Sequence, residues 1–219
     1  MTIKEAIEAR HAVRAYTNRP IEEEKVAALK DEIEKINKES GLRFMLFTEE
    51  PEAFKAGQPH YGSFSGCRNY FALIGKKDDD EKIGYYGERL VLFAQTLGLN
   101  TCWVAMTYEH GKVAANLSKD EKIFDVVSLG YGETEGKPHK SKPIEKLCRV
   151  SGEAPAWFYD GMKAAALAPT AINQQQFMIT YDGGSVSAKA LFGPCSKTDL
   201  GIVKYHFEIG AGKENVKWK

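Results

Sequence analysis

The first forty residues contain two stretches with the spacing of amphipathic helices. Thr2 followed by Glu5 forms a capping box, which predicts a helix over about Ile3 to Arg10. After Pro20, apolar residues recur every three or four positions and predict a second helix. These positions are Val26, Leu29, Ile33 and Ile36. Gly41 is placed to end that helix, because glycine readily adopts the left-handed conformation of a helix C-terminus.

Short apolar runs bounded by turn-forming residues predict strands in the middle of the chain. The predicted strands are Leu42 to Thr48, Tyr70 to Gly75, Thr101 to Met106 and Phe124 to Tyr131. Residues 49–69 contain Pro, Gly and Ser and predict a long loop, and the acidic run Asp78 to Glu81 predicts a solvated connection. A further helix, closed by Gly98, is predicted from the apolar positions Tyr86, Leu90, Phe93 and Leu97.

The last part of the chain repeats the order of elements seen at its start. Residues 155–219 predict a helix, a strand pair joined near Gly183-Gly184, and a last helix from about Asp199. The helix, loop and strand that end in residues 44–49 recur as a helix, a loop and residues 177–182. This repetition favours an internal duplication. The alternative is that helix–strand alternation, which is common, gives the same order by chance.

Composition and charge exclude several classes of protein. The 30 basic and 30 acidic side chains give a formal charge of zero, which argues against a protein that coats nucleic acid or an anionic membrane. The N-terminus lacks the pattern of a signal peptide, and no apolar run is long enough to cross a bilayer. Four scattered cysteines without a C-x-x-C pair predict free thiols in a reducing cytoplasm. The histidines lack ligand spacing, so no metal site is predicted.

Two basic segments have the chemistry to bind phosphate. Arg10 and Arg14 lie four residues apart and would face the same way if the turn after the first helix stays helical. Planar guanidinium groups match two phosphate oxygens. A second set, Lys137, Lys140 and Lys142, lies beside two prolines. Taken alone, both sets are more simply explained as solvated surface charges.

The segment from Leu167 to Phe177 is a third candidate. It follows an alanine-rich helical run that Pro169 ends, because proline removes a helical N–H and clashes with the preceding turn. Thr170, Asn173 and Gln175 then lie in a loop before an apolar strand. Such a loop can grip a planar ligand with hydrogen-bonding edges, although a solvated turn accounts for the same residue types.

Together with one further segment, these elements resemble the flavin-dependent nitroreductases. The segments are Arg10 to Tyr16, Gly98 to Val104, Lys140 to Ile144 and Ala168 to Gln176. They are similar, in that order, to the family's arginine motif, its Gly-Leu-Gly-Thr-Cys-Trp strand, its basic closing segment and its Ala-Pro-Ser-x-x-Asn loop. The resemblance implies an α+β nitroreductase-like fold with a central, mainly antiparallel sheet flanked by helices.

The order of the motifs differs from that of ordinary family members. In those proteins the Ala-Pro-Ser loop follows soon after the arginine motif, and FMN lies at a homodimer interface. Here the corresponding loop comes last. The chain therefore resembles the shortened subgroup, the TM nitroreductase type, in which one polypeptide imitates that dimer. This resemblance implies a single domain over residues 1–219, with pseudo-twofold halves of about 1–150 and 151–219.

The resemblance also implies how FMN would be held. Arg10, Lys140 and Lys142 correspond to positions that bind the phosphate. Arg14 corresponds to a position beside the flavin pyrimidine, where a cation stabilises developing negative charge. The other corresponding positions are His11 and Ala12 for the ribityl chain, Ala105 and Met106 for the approach to flavin N5, and Pro169, Thr170 and Asn173 for covering the ring. No catalytic acid or base is required from the protein, since the flavin performs the hydride chemistry.

The implied activity is that of an FMN-dependent oxidoreductase. It would take a hydride from NADH or NADPH and reduce a small acceptor such as a nitroaromatic compound or a quinone. A flavin-storage protein and a flavin-free scaffold are the alternatives, because Ala12 and Met106 stand where the family usually has serine and glycine. The chain is expected to act as a monomeric pseudo-dimer or a weak homodimer, without nucleic acid or membrane partners.

Overall fold

The computed structural model describes residues 1–55 and 63–219, so part of the predicted loop over 49–69 lies outside the described residues. The described chain contains the helices α1 (Ile3–Ala9), α2 (Glu23–Ser40), α3 (Asp80–Thr96), α4 (Ala156–Ala165) and α5 (Ser196–Ala211). It also contains the strands β1 (Arg43–Phe47), β2 (Asn69–Lys76), β3 (Asn100–Val104), β4 (Glu121–Gly130), β5 (Cys148–Ser151), β6 (Phe177–Asp182) and β7 (Ser185–Ala190). Helices together with mainly antiparallel strands confirm the predicted α+β class.

These elements divide into two compact units, each made of separate stretches of the chain. The first unit comprises Met1, Ala9–Asp79 and Leu90–Pro138, and the second comprises Thr2–Glu8, Asp80–Arg89 and His139–Lys219. The half-site boundary near residue 150 and the pseudo-twofold duplication stay predictions. In the part of the chain that the structure covers, no helix combines the length and the apolar composition that a membrane crossing needs.

The first unit is built on a four-stranded antiparallel sheet in the order β1-β2-β4-β3. Strand β2 is internal to the sheet, and its residues 69–75 are all buried. A continuous apolar run such as Tyr70 to Ile74 suits a strand that is covered on both faces. Helix α2 packs against β1 and buries Leu29, Ile33 and Ile36, as its sequence pattern predicted.

The predicted signals at the ends of the first three helices are confirmed, with one exception. The Thr2 N–H donates to Glu5 Oε2 at 2.8 Å, and the Glu5 N–H donates to Thr2 Oγ1 at 3.2 Å, which is a reciprocal capping box. Gly41 ends α2 in the left-handed conformation, with φ 74°. The exception is the acidic run, which is not a solvated connection throughout. Helix α3 already begins at Asp80, because acidic side chains are favourable in a first helical turn.

The second unit contains a three-stranded sheet in the order β5-β6-β7. Strand β5 is parallel to β6, and β7 is antiparallel to β6. The turn between β6 and β7 is Gly183-Gly184, with φ 57° and 106°. Two positive φ values in a two-residue turn match the twist of the flanking strands, and glycine adopts them without steric cost. The predicted strand pair is confirmed.

Helix α5 packs very closely against the second unit's part of α3 and against α4. A Cβ added at Gly201 would lie 1.9 Å from the carbonyl oxygen of Glu81 and 2.6 Å from the amide nitrogen of Tyr85. A Cβ added at Gly210 would likewise lie 2.6 Å from the carbonyl oxygen of Asp160. Only glycine permits such backbone contact, so these two positions fix where α5 lies in the unit.

Gly201→Ala is expected to lower the free energy of unfolding by about 1–3 kcal/mol, because the new methyl group overlaps backbone atoms that cannot rotate away. Urea unfolding of the variant measures the loss. Gly111→Ala is the matched control, since a Cβ there meets nothing within 4 Å. We expect the control to change stability by less than about 0.5 kcal/mol. Equal stabilities of the two variants would contradict the close packing.

Candidate functional site

The segment from Arg10 to Tyr16 runs as extended chain in the first unit. The Tyr16 N–H donates to the Ser65 carbonyl at 2.9 Å, and the Ser65 N–H donates to the Arg14 carbonyl at 3.0 Å. Helix α1 ends at Ala9, so the turn that follows does not stay helical. The helical spacing considered for the two arginines therefore does not apply, and their positions follow from strand-like pairing instead.

The buried side chain of Tyr16 fixes this segment from within. Its hydroxyl donates to the Val13 carbonyl at 2.8 Å and lies 2.7 Å from the Ser128 hydroxyl in β4. The Val13 N–H in turn donates to the Thr101 carbonyl in β3 at 3.1 Å. Burial raises the pKa of Tyr16 well above its ordinary value, so the hydroxyl keeps its proton. The sequence motif included Tyr16 but did not indicate this anchoring role.

Arg10 and Arg14 differ in exposure, although both lie near β3. Arg10 retains only 4 % of its accessible surface, whereas Arg14 is exposed. Burial raises the pKa of the Cys102 thiol in β3, and the positive charges of Arg14 and Arg10 oppose that increase. Both guanidinium groups are therefore close enough to act on one thiol, and Arg14 is the more accessible of the two.

The other predicted residues of the first unit lie beside the same strand. Ala105 and Met106 follow β3 in a bend, because the strand ends at Val104 rather than at Met106 as predicted. Met106 exposes 65 % of its surface, Ala12 is exposed and His11 is partly buried. The segment that carries His11 and Ala12 is bridged to β3 through Ala12. The structure thus brings the predicted residues of this unit to β3 and to the segment paired with it.

In the second unit, the loop between α4 and β6 (residues 166–176), which we call the ligand loop, has an unusual backbone. Ile172, Asn173 and Gln175 have φ values of 48°, 55° and 46°, in the left-handed region that residues with side chains rarely adopt. Pro169 and Thr170 are partly buried, and Asn173 is exposed. Three such φ values in so short a loop indicate a conformation that is imposed by the contacts around it.

Gln175 is the buried centre of this loop. Its Oε1 accepts the Lys142 N–H at 2.7 Å, and its Nε2 donates to the Lys140 carbonyl at 3.0 Å and to Asn173 Oδ1 at 3.0 Å. Its own N–H donates to Thr170 Oγ1 at 3.0 Å. One amide side chain thus ties the loop to the basic segment. The sequence pattern gave no sign that Gln175, rather than Asn173, is the central residue.

Lys140 and Lys142 lie on that basic segment, but the structure uses them differently. Lys142 Nζ donates to the carbonyls of Gln174 and Gln175 at 2.7 and 3.2 Å, so its ammonium group stabilises the loop. Lys140 supplies its carbonyl to the loop and has an exposed side chain. Its ammonium group is therefore at the surface. A phosphate contact from either lysine stays a prediction.

A buried carboxylate on α5 anchors the other part of the loop. Asp199 accepts the Ala171 N–H at 3.0 Å and a hydrogen bond from Gln174 Nε2 at 2.8 Å. Gln174 Nε2 also donates to the Pro194 carbonyl at 2.6 Å. Burial raises the pKa of Asp199 to about 6, and the hydrogen bonds to the carboxylate oppose this increase only in part. Sequence analysis placed the start of the last helix at about Asp199, whereas α5 begins at Ser196, and it did not predict this contact.

Asp199→Asn is expected to remove a pH dependence of stability. The pKa of Asp199 is raised from 3.8 to about 6 in the folded chain, so between these values the folded state binds more protons than the unfolded state. The contribution of this group to the free energy of unfolding is therefore greatest below about pH 4. It falls as pH rises to about 6, by at most about 3 kcal/mol.

Urea unfolding at a series of pH values measures this effect, as the difference between the wild type and the variant. Asp160→Asn is the control, because Asp160 is exposed and its hydrogen bond with Lys163 lowers its pKa. That control is expected to keep the fall in stability between pH 4 and 6. An Asp199→Asn variant with the wild-type pH profile would show that Asp199 does not titrate in this way.

The carbonyl groups at the end of α4, from which the loop starts, also have side-chain partners. His206 of α5 contacts the Ala164 carbonyl through Nδ1 at 3.1 Å, and Ser141 Oγ donates to the Ala166 carbonyl at 2.8 Å. His206 is completely buried, and its Nε2 lies 2.8 Å from Glu88 Oε1 in α3. The last carbonyls of a helix lack intrahelical donors, so these contacts determine where the loop begins.

Comparison with known proteins places this arrangement in a family. The family model described as "Putative TM nitroreductase" matches residues 2–211. The chain belongs to this family. Membership of a nitroreductase family identifies it as an oxidoreductase with small-molecule substrates, and the predicted family is confirmed. A comparison with curated proteins gives no match.

Solved structures agree with the nitroreductase fold. A "putative nitroreductase" from Thermotoga maritima is 25 % identical with a TM-score of 0.68, over 98 % of this chain and 85 % of that chain. An "FMN-dependent Nitroreductase" from Clostridium difficile R20291 is 16 % identical with a TM-score of 0.50, over 62 % of this chain and 90 % of that chain. A "Putative NADH Oxidase" from Clostridium acetobutylicum is 18 % identical with a TM-score of 0.50, over 65 % of this chain and 96 % of that chain. The last two likenesses show the fold alone.

In this nitroreductase-family chain, the predicted site residues form two groups. The first unit holds Arg10, His11, Ala12, Arg14, Ala105 and Met106, and the second holds Lys140, Lys142, Pro169, Thr170 and Asn173. Backbone pairing with β3 collects the first group, and the Gln175 network collects the second. That both groups contact one flavin stays a prediction.

Proposed function

We propose that this chain binds FMN and transfers electrons from NADH or NADPH to a small electron-poor acceptor such as a nitroaromatic compound or a quinone. One observation carries the proposal. In each unit, the segments predicted for the flavin carry an exposed cation together with an exposed apolar side chain: Arg14 with Met106, and Lys140 with Ile172. Exposed apolar side chains and cations within the same set of segments suit a ligand that is planar, apolar and anionic.

The side chains present fit FMN by their chemistry. Arg10 and Lys140 provide charged donors for a phosphate, and Lys142 keeps the Lys140 segment and the ligand loop together. Arg14 provides a positive charge where a flavin pyrimidine edge would gain electron density. When bound, FMN supplies the two-electron chemistry between the nicotinamide and the acceptor.

The other predicted residues provide shape and exclude water. The backbone of His11 and Ala12 would hold the ribityl chain, and Ala105 with Met106 would border the reactive edge of the ring. Pro169, Thr170 and Asn173 would cover the ring from a loop that the Gln175 hydrogen bonds keep rigid. No side chain is assigned a proton-transfer role.

We further propose that one chain holds one FMN with residues of both groups, as a monomeric pseudo-dimer or a weak homodimer. The resemblance to the single-chain subgroup supports this proposal, and so does the order of the motifs. A cytoplasmic location is proposed as well. It is supported by Cys67, Cys102, Cys148 and Cys195, which are not joined in disulfide bonds.

An absorption spectrum of the purified protein tests the function. The proposal predicts a yellow protein whose flavin absorbance is bleached anaerobically by NADH or NADPH and restored by a nitroaromatic compound or a quinone. A yellow protein that neither nicotinamide bleaches would indicate flavin storage instead. A colourless protein that cannot be loaded with FMN would indicate a scaffold and would overturn the proposal.

A further inference from the structure

The side chain of Phe192 is fully exposed, with a relative accessibility of 102 %. It lies between β7 and α5, on a backbone that is held on both sides. The Leu191 N–H donates to the Gln176 carbonyl at 2.9 Å. A Cβ added at Gly193 would lie 2.2 Å from Gln174 Oε1, so the chain after Phe192 lies directly against the Gln174 side chain. The backbone at Phe192 is therefore held against the ligand loop, while the described residues of its unit leave its side chain uncovered.

A second apolar side chain is displayed by that loop. Ile172 exposes 75 % of its surface and has φ 48°, although β-branched residues are strongly disfavoured in the left-handed region. Asp199 holds the neighbouring Ala171 N–H, and the Gln174 amide binds both Asp199 and the Pro194 carbonyl. The same hydrogen-bond network thus supports both exposed apolar residues. A strained, exposed apolar residue on a rigid loop points to a role in binding.

We propose that Phe192 and Ile172 provide apolar contacts for a planar aromatic electron acceptor. This inference rests on the proposed function, because it places the acceptor beside the loop assigned to the flavin. A phenyl ring without internal contacts offers its faces for stacking, and a flat, electron-poor ring is the partner it stacks with best.

The test compares Phe192→Ala with Phe192→Tyr in the FMN-loaded chain. The probe is 4-nitrobenzoate, and without a reductant its binding is followed by the change in flavin absorbance. We expect Phe192→Ala to raise the Kd for the probe about tenfold, because it removes a stacking surface. Phe192→Tyr keeps an aromatic ring and is expected to keep the wild-type Kd. The KM for the probe in turnover is expected to rise similarly. The Kd for FMN, measured by fluorescence quenching, is expected to change less than about twofold.

Tyr159→Ala is the matched control, since Tyr159 is an aromatic residue on α4 with 42 % exposure. We expect this variant to leave the Kd for the probe unchanged. An unchanged probe Kd in Phe192→Ala with normal FMN binding would overturn this inference while leaving the proposed function intact.

Sedimentation velocity tests the alternative that Phe192 contacts a second copy of this chain. If Phe192→Ala turns a dimer into a monomer without changing the probe Kd, Phe192 contacts a second copy and the inference is wrong. A wild-type chain that binds no FMN would overturn both.

Discussion

Glu88→Ala is expected to lower the free energy of unfolding by about 3–5 kcal/mol, as the loss of one partner of a buried pair does. Glu88 and His206 are fully buried, with 2.8 Å between Glu88 Oε1 and His206 Nε2. The Ala164 carbonyl on the other side of the ring can only accept, so Nδ1 of His206 carries a proton. The short Nε2–Oε1 contact then requires one further proton between the two groups. Removal of the carboxyl group leaves the buried ring nitrogen without this partner.

Glu88→Gln is the control that separates the hydrogen bond from side-chain volume. The glutamine amide can donate to a neutral His206 Nε2 while Nδ1 still donates to the Ala164 carbonyl. We expect this variant to lose less than about 1.5 kcal/mol, close to the value of a single hydrogen bond. Urea unfolding with a common m value measures both changes. Equal losses in the two variants would show that the pair does not stabilise the fold through this hydrogen bond.

Arg14→Ala is expected to weaken FMN binding about ten- to hundredfold, or about 1.5–3 kcal/mol, because a hydrogen bond from the charged Arg14 guanidinium to the flavin is lost. Arg14 is exposed, and its segment is held by backbone hydrogen bonds with Ser65 and by the Tyr16 hydroxyl. The truncation should therefore leave the fold intact, which a thermal melt checks. Quenching of FMN fluorescence by the apoprotein gives the Kd.

Two comparisons make this result specific. Arg149→Ala removes an equally charged, exposed side chain from β5 and is expected to leave FMN affinity unchanged. Riboflavin, which lacks the phosphate, separates the two proposed roles. Arg14→Ala should weaken FMN and riboflavin alike, whereas Lys140→Ala should weaken FMN only. An Arg14→Ala variant with wild-type affinity would remove Arg14 from the site.

The elements that sequence predicted best are those fixed by local interactions. The capping box at Thr2 and the left-handed Gly41 depend on residues close in sequence, and both are present as predicted. The turn at Gly183-Gly184 depends on its own backbone freedom and is also present. The prediction of a solvated connection up to Glu81 was wrong, because an acidic run suits a solvated loop and a first helical turn equally well. Local pattern alone does not separate those two outcomes.

Contacts between distant residues could not be predicted in this way. Glu88 and His206 are 118 positions apart, and neither has a sequence neighbour that indicates the pairing. Gln175 and Asp199 are central to the ligand loop only because other segments bring backbone groups to them. The motifs therefore predicted which segments matter, but not that Lys142 and Gln175 hold the loop together or that Tyr16 anchors the arginine segment.

The central proposal is that a single chain holds FMN with both groups of predicted residues, and mixing two variants tests it most directly. Arg14→Ala and Lys140→Ala each change an exposed cation, one in each unit. If one chain forms the whole site, each variant carries a damaged site, and the mixture binds FMN as weakly as the separate variants. Titration of the wild type should then show one FMN per chain. If the mixture regains a fraction of sites with wild-type affinity, Arg14 and Lys140 act on flavin from different copies, and the account is contradicted.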